Sequence, residues 1–149
     1  MRGWLLLATW WGVGKCPVAP GTIGSMAALP VAMVLMQLPL WGYGATVGGL
    51  FFLGGLAAKR AESLLGRRDH PSIVIDEVVG TLLALMGLKG FLPMALVFFL
   101  FRAFDTAKPF PIRRLEGIGG GMGIMLDDLL AGAYARCAMA ILFALRGSA

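Results

Sequence analysis

The stretch Val78-Val79-Gly80-Thr81-Leu82-Leu83-Ala84-Leu85-Met86-Gly87-Leu88-Lys89-Gly90-Phe91-Leu92-Pro93-Met94-Ala95-Leu96-Val97-Phe98-Phe99-Leu100-Phe101 decides how this chain is laid out. It is long enough to cross a bilayer core, which takes roughly 20 residues of apolar helix. However, Gly87-Leu88-Lys89-Gly90 and then Pro93 split it into two short pieces, neither of which spans alone. A single crossing would put the polar stretch Arg102–Leu126 on the face opposite Asp76 and Glu77. A re-entrant or hairpin path returns both to one face, and such broken helices are tolerated where protein covers the backbone. Both flanking stretches are rich in Lys and Arg, which tend to stay on one side of a membrane, so the folded-back path is favoured.

The rest of the chain agrees with a membrane setting. Of 149 residues, 58% are hydrophobic and only 14% charged, against about 25% charged in an ordinary soluble domain. The mean hydropathy of +0.82 is spread over several segments, so no single signal sequence accounts for it. Besides Val78–Phe101, the apolar regions are Ser25–Leu40, which is short, Trp41–Ala58, and Leu129–Leu145, which Arg136 interrupts. Pro39-Leu40-Trp41-Gly42-Tyr43-Gly44 reads as a tight turn joining the first two as a helical hairpin. That hairpin brings Lys15–Gly24 and Lys59–Ile75 to the same face. Met1–Val13 is too short to cross, and its Trp4, Trp10 and Trp11 read as an interfacial anchor. The length corresponds to one domain, residues 1–149. The net charge of +5 fits cytoplasmic loops near anionic headgroups. Nucleic acid is disfavoured, because no basic, aromatic-rich soluble surface accompanies the charge. Cys16 and Cys137 read as reduced and structural.

Five of the eight acidic residues fall in three short motifs that abut apolar runs: Asp76-Glu77, Asp105 and Asp127-Asp128. Carboxylates at a membrane edge are costly to bury, and a metal ion or basic partner is their usual reason for being there. Ile73-Val74-Ile75-Asp76-Glu77-Val78-Val79-Gly80 and Ile124-Met125-Leu126-Asp127-Asp128-Leu129-Leu130-Ala131 share one pattern. Each pair is expected to open a helix, with a small residue one turn later admitting a neighbouring helix. Capping would account for one carboxylate per helix, and not for the second or for Asp105. Oxygen-only ligands suit a hard cation such as Mg²⁺, whereas a lone His70 and two distant cysteines make no zinc site.

Around Asp105, the run Phe101-Arg102-Ala103-Phe104-Asp105-Thr106-Ala107-Lys108-Pro109-Phe110-Pro111-Ile112-Arg113-Arg114 gathers four cations and two prolines, a pattern suited to holding an anion. Pro17–Ser25 leads into the first span, so Thr22 and its glycines sit where free N–H groups can meet an anion. Gly117–Gly123 holds five glycines in seven residues, a close-approach loop or a flexible turn. No Walker sequence supports nucleotide binding. Neither cysteine has the following Arg that a thiol-based phosphate loop needs, and Arg67-Arg68-Asp69-His70-Pro71 looks like an exposed loop. Metal-assisted attack by water remains.

Four blocks together resemble the phosphatidylglycerophosphatase A family of bacterial inner-membrane enzymes. They are Pro20–Ser25, Ile73–Gly80, Phe101–Arg113 and Gly119–Gly132. The resemblance implies an all-α fold, Mg²⁺ dependence and hydrolysis of the membrane phospholipid phosphatidylglycerophosphate to phosphatidylglycerol. It carries over the acidic positions Asp76, Glu77, Asp105, Asp127 and Asp128, and the polar and basic positions Thr22, Arg102, Lys108 and Arg113. The expected site therefore has Asp76, Glu77, Asp127 and Asp128 holding Mg²⁺, with Asp105 as a further ligand or the base. Arg102 and Lys108 neutralise the phosphate, and Thr22, Ser25 and Arg113 help bind the substrate at headgroup depth on the cytoplasmic side. Two rival readings predict other patterns. A CDP-alcohol phosphatidyltransferase would cluster its aspartates in one spaced motif, which is not found. A small cation carrier would place ionisable groups at mid-membrane, where only Arg136 lies.

Overall fold

A computed structural model describes residues 2–115 and 118–147, which form helices and no strand. In chain order these are α1 (Arg2–Ala8), α2 (Pro20–Leu35), α3 (Leu40–Leu65), α4 (Ile75–Leu85), α5 (Phe91–Ala107), α6 (Ile112–Leu115) and α7 (Gly121–Gly147). The apolar stretch read first is broken as expected. α4 stops at Leu85 and α5 starts at Phe91, with Gly87 and Gly90 at positive φ in between. The two helices fold back, so Glu77 near the start of α4 meets Arg102 and Asp105 near the end of α5.

Several boundaries differ from the sequence expectation. The first long helix is Pro20–Leu35, not Ser25–Leu40; its 16 residues rise only ~24 Å. Pro20 sits at its first position, where a missing N–H costs nothing, and Pro39 caps α3 rather than lying in a loop reaching Gly44. α3 runs past Ala58 to Leu65 and ends at Gly66 in the left-handed conformation. The larger correction concerns Asp127-Asp128. α7 begins at Gly121, so this pair lies inside the helix and does not open it. Gly121 and Gly123 are helical because they pack closely, Gly121 against the backbone of Gly55 and Lys59 on α3, and not because they form a flexible turn.

The small residues after each acidic pair do what the shared pattern suggested. A β-carbon on Gly80 would lie 2.6 Å from the Asp128 carbonyl oxygen, and one on Gly132 would strike the Gly80 carbonyl. Ala131 is fully buried beside them. α4 and α7 therefore cross backbone to backbone, which only residues without bulk permit.

At the far end, the turn between α2 and α3 and the break between α4 and α5 share one cavity, lined by Met36, Leu38, Tyr43 and Leu88 among others. The carbonyls that end α4 have no partner within their own helix. Arg136 Nε donates to Met86 O at 2.9 Å, and Tyr43 Oη donates to Leu82 O at 2.8 Å. The cation inside the last apolar run thus serves the broken helix. At the near end, α1 packs on α3, with Arg60 stacked 4.7 Å from the Trp4 ring. The Val74 N–H donates to Ala8 O, and Gly14 lies against the Ser72 carbonyl, which fixes the residues just ahead of Asp76.

α3 and α7 are long and apolar enough to cross a membrane, and only 33% and 28% of their most apolar windows are buried within the protein. Phe52 and Leu56 on α3, Phe91 and Phe99 on α5, and Ile141 and Leu145 on α7 face outward, while Asp76, Asp127 and Asp128 are buried. Apolar residues outside and carboxylates inside is the arrangement that an apolar surrounding favours.

Candidate metal and phosphate site

Asp76 and Glu77 lie in the first turn of α4, and Asp128 is brought against them by the Gly80–Gly132 crossing. One oxygen from each of the three lies within 4.8 Å of the others. The cap of α4 is Val74, which offers no side-chain oxygen, so capping does not explain the pair. Asp76 Oδ1, Glu77 Oε2 and Asp128 Oδ2 are buried and accept no hydrogen bond among the described residues. Buried acceptors are almost always satisfied, and unpartnered oxygens on three neighbouring carboxylates form a concentrated negative site.

The electrostatics say the same. Burial, then the charges of Glu77 and Asp128, push the Asp76 carboxyl well above its ordinary range. Burial also raises Glu77, with the nearby Asp105 adding and Arg102 opposing. Burial and mutual repulsion both disfavour the charged forms, and a cation would offset both. A divalent ion fits the donor set: hard oxygens only, converging, each with a free lone pair.

Two ion pairs stand beside the trio. Arg102 Nη1 meets Asp105 Oδ2 at 2.6 Å, one turn apart on α5, and Asp105 is near enough to act on both Glu77 and Asp128. Lys108 Nζ meets Asp127 Oδ2 at 3.0 Å, while Asp127 Oδ1 accepts the Asp128 N–H. Lys108 caps α5 at φ 42°, ψ 62°. That left-handed conformation costs a non-glycine residue ~1 kcal/mol or more and is typical of a functional position. It turns the Lys108 side chain back toward α7.

Gly21, in the first turn of α2, closes the site from above. A β-carbon there would collide with Glu77 Oε1 and lie 3.6 Å from Arg102 Nη2. The sequence placed this glycine at a helix start without foreseeing that it makes room for a carboxylate. Thr22 is half-buried in the same turn. Ser25 is fully buried and donates its hydroxyl to Gly21 O at 3.0 Å, which holds it to its own helix. Arg113 sits exposed on α6. The structure thus gathers Asp76, Glu77, Asp128, Asp105 and Arg102, and keeps Lys108 and Asp127 adjacent as a pair. His70 accepts the Ser72 N–H on Nδ1 within its loop.

Residues 6–143 match the family described as Phosphatidylglycerophosphatase A. The chain belongs to that family. It is 39% identical over 132 residues to phosphatidylglycerophosphatase A of Escherichia coli K12, covering 87% of this chain and 77% of the relative. It is 38% identical over 138 residues to the Haemophilus influenzae protein of the same name, covering 87% and 82%. A Bacteroides thetaiotaomicron relative, named as a proposed phosphatidylinositol-3-phosphatase, is 36% identical over 146 residues, covering 92% and 91%. No solved structure matches.

Proposed function

We propose that the chain is a Mg²⁺-dependent lipid phosphatase that hydrolyses phosphatidylglycerophosphate to phosphatidylglycerol and phosphate in phospholipid synthesis. On this reading it is one multi-pass domain of the bacterial inner membrane, with its site at headgroup depth on the cytoplasmic side. The observation that carries the reading is the meeting of three buried carboxylates, each with an unpartnered oxygen, beside Arg102 and Lys108. The family and the names of its relatives support the phosphomonoester lipid.

Asp76, Glu77 and Asp128 would hold the metal. Bound there, Mg²⁺ supplies positive charge that polarises the phosphoryl group. Arg102, oriented by Asp105, offers a planar fork for two phosphate oxygens, and Lys108, oriented by Asp127, offers a point charge. On this reading Asp105 takes a proton from the attacking water. The water oxygen bonds to phosphorus, the ester P–O bond breaks, and its electron pair leaves on the glycerol oxygen. Asp105 returns the proton to that oxygen, so the products are free phosphate and a lipid that keeps its diester phosphate. The acyl chains stay in the bilayer. A carrier would need ionisable groups along its path, whereas Arg136 is engaged with the Met86 carbonyl and the carboxylates gather at one end.

The test is phosphate release by detergent-purified protein, with and without chelator. Release that survives chelation removes the metal assignment, and no release with Mg²⁺ present removes the lipid phosphatase. Phosphatidylinositol 3-phosphate in the same assay measures selectivity against the substrate in the Bacteroides relative's name.

A further inference from the structure

Asp127 also lines a cavity of about 180 Å³, to which none of the carboxylate trio contributes. Its walls come from the end of α3 (Glu62), the loop after it (Arg68, Asp69), the glycine-rich loop (Gly120) and the start of α7 (Ile124, Asp127). Three carboxylates and one guanidinium line it, yet Arg68 enters no ion pair among the described residues. Two of the acids have other partners: Glu62 Oε1 accepts the Asp69 N–H at 2.8 Å, and Asp127 holds Lys108. Asp69 adopts φ 47°, a left-handed conformation unusual outside glycine. On the other wall, a β-carbon at Gly119 would lie 3.0 Å from the Arg68 guanidinium, so the loop is cut back to let that side chain in.

We propose that this cavity receives the part of the headgroup that stays with the product: a small polyol, with its free hydroxyl on a carboxylate oxygen of Glu62 or Asp127 and its phosphodiester on Arg68. The inference rests on the lipid phosphatase reading. Carboxylates accept hydroxyl hydrogens and repel a phosphate, whereas an unpaired guanidinium offers a bidentate fork to one. Asp127 joins the two compartments, because it follows the cavity wall and immediately precedes Asp128. Arg68 is then the residue that distinguishes a lipid carrying two phosphates from one carrying the monoester alone.

The experiment compares wild type, Arg68→Gln and Arg68→Lys in detergent micelles, with phosphatidylglycerophosphate as substrate and Mg²⁺ present. Arg68 is exposed, so neither variant disturbs packing. Arg68→Gln is expected to raise KM about tenfold, the scale of one charge-assisted hydrogen bond, with kcat within about twofold of wild type. Arg68→Lys is expected to recover part of the loss. Glycerophosphoglycerol, a soluble polyol diester without a monoester, is expected to inhibit wild type competitively and Arg68→Gln far less. An unchanged KM in Arg68→Gln, or a fall in kcat alone, overturns the subsite while leaving the phosphatase intact. A wild-type protein that releases no phosphate overturns the phosphatase reading and the subsite with it.

Discussion

Gly80→Ala tests whether the spacing of α4 and α7 sets the acidic site. The added methyl would lie 2.6 Å from the Asp128 carbonyl oxygen and 2.7 Å from Phe101 Cε2. Neither is the loose end of a flexible chain: one is backbone and the other a ring buried in the core. Ordinary contact begins at 3.4 Å, so relief requires a helix displacement of ~0.8 Å, the difference between 3.4 and 2.6. That displacement falls on the crossing that holds Asp76 and Glu77 against Asp128, whose oxygens now lie within 4.8 Å. Overpacking of this kind costs about 1–3 kcal/mol, and a misplacement near 1 Å costs reaction rate on the order of 10²-fold. Purified Gly80→Ala should therefore release phosphate roughly 10²-fold more slowly, need more Mg²⁺ for half-maximal rate, and melt at lower temperature. Gly48→Ala on α3 is the control, since nothing lies within 4 Å of a β-carbon there. If Gly80→Ala stays within about twofold of wild type with the same Mg²⁺ midpoint, the crossing does not control the site and the reasoning fails.

Asp128→Asn should cut activity on the order of 10²-fold, as expected for losing one charge-stabilising group. It should also abolish the stabilisation, ~2.7 kcal/mol at a hundredfold excess of ion over Kd, that Mg²⁺ confers on wild type in a melting experiment. Asp127→Asn removes the carboxylate that orients Lys108 while keeping an oxygen for the Asp128 N–H, so KM is expected to rise about tenfold. An altered Mg²⁺ midpoint in that variant would put Asp127 back among the ligands. Arg136→Met leaves the Met86 carbonyl without its donor and should lower stability by about 1–3 kcal/mol, with the rate per folded molecule unchanged. After alkaline carbonate washing of cell membranes, the chain should stay in the pellet; recovery in the supernatant would contradict helices crossing the bilayer.

Much of this was legible because it depended on polarity and on small residues. Gly87, Lys89 and Gly90 interrupt the apolar run, and the break between α4 and α5 lies where they stand, with Pro93 in the first turn of α5. Gly80 and Ala131 announced a close crossing because nothing else about those positions requires so little bulk. Helix starts were harder to see. The glycines from Gly117 to Gly123 favour turns in isolation, yet Gly121 and Gly123 are drawn into α7 by packing that only the assembled fold supplies. Asp127 and Asp128 looked equivalent because they are adjacent. About 100° of helical rotation separates them, so one faces the trio and the other Lys108. Arg68 lies in the exposed loop that the sequence led one to expect, and the cavity it borders was not legible because its walls come from α3 and α7, far apart in the chain. Glu116 and Gly117, part of the glycine-rich segment, lie outside the described residues.

Asp76 and Glu77 belong to the middle of the polypeptide and Asp128 to its last helix, and this order bears on biogenesis. While the ribosome is still translating, the hairpin of α4 and α5 can enter the bilayer with two acidic groups whose third companion does not yet exist. Those groups must stay wet until α7 arrives, because hydrocarbon does not accept them alone. On the proposed reading, hydrolytic competence appears only once α7 has docked, and a nascent chain halted before that point is inert toward the lipids around it.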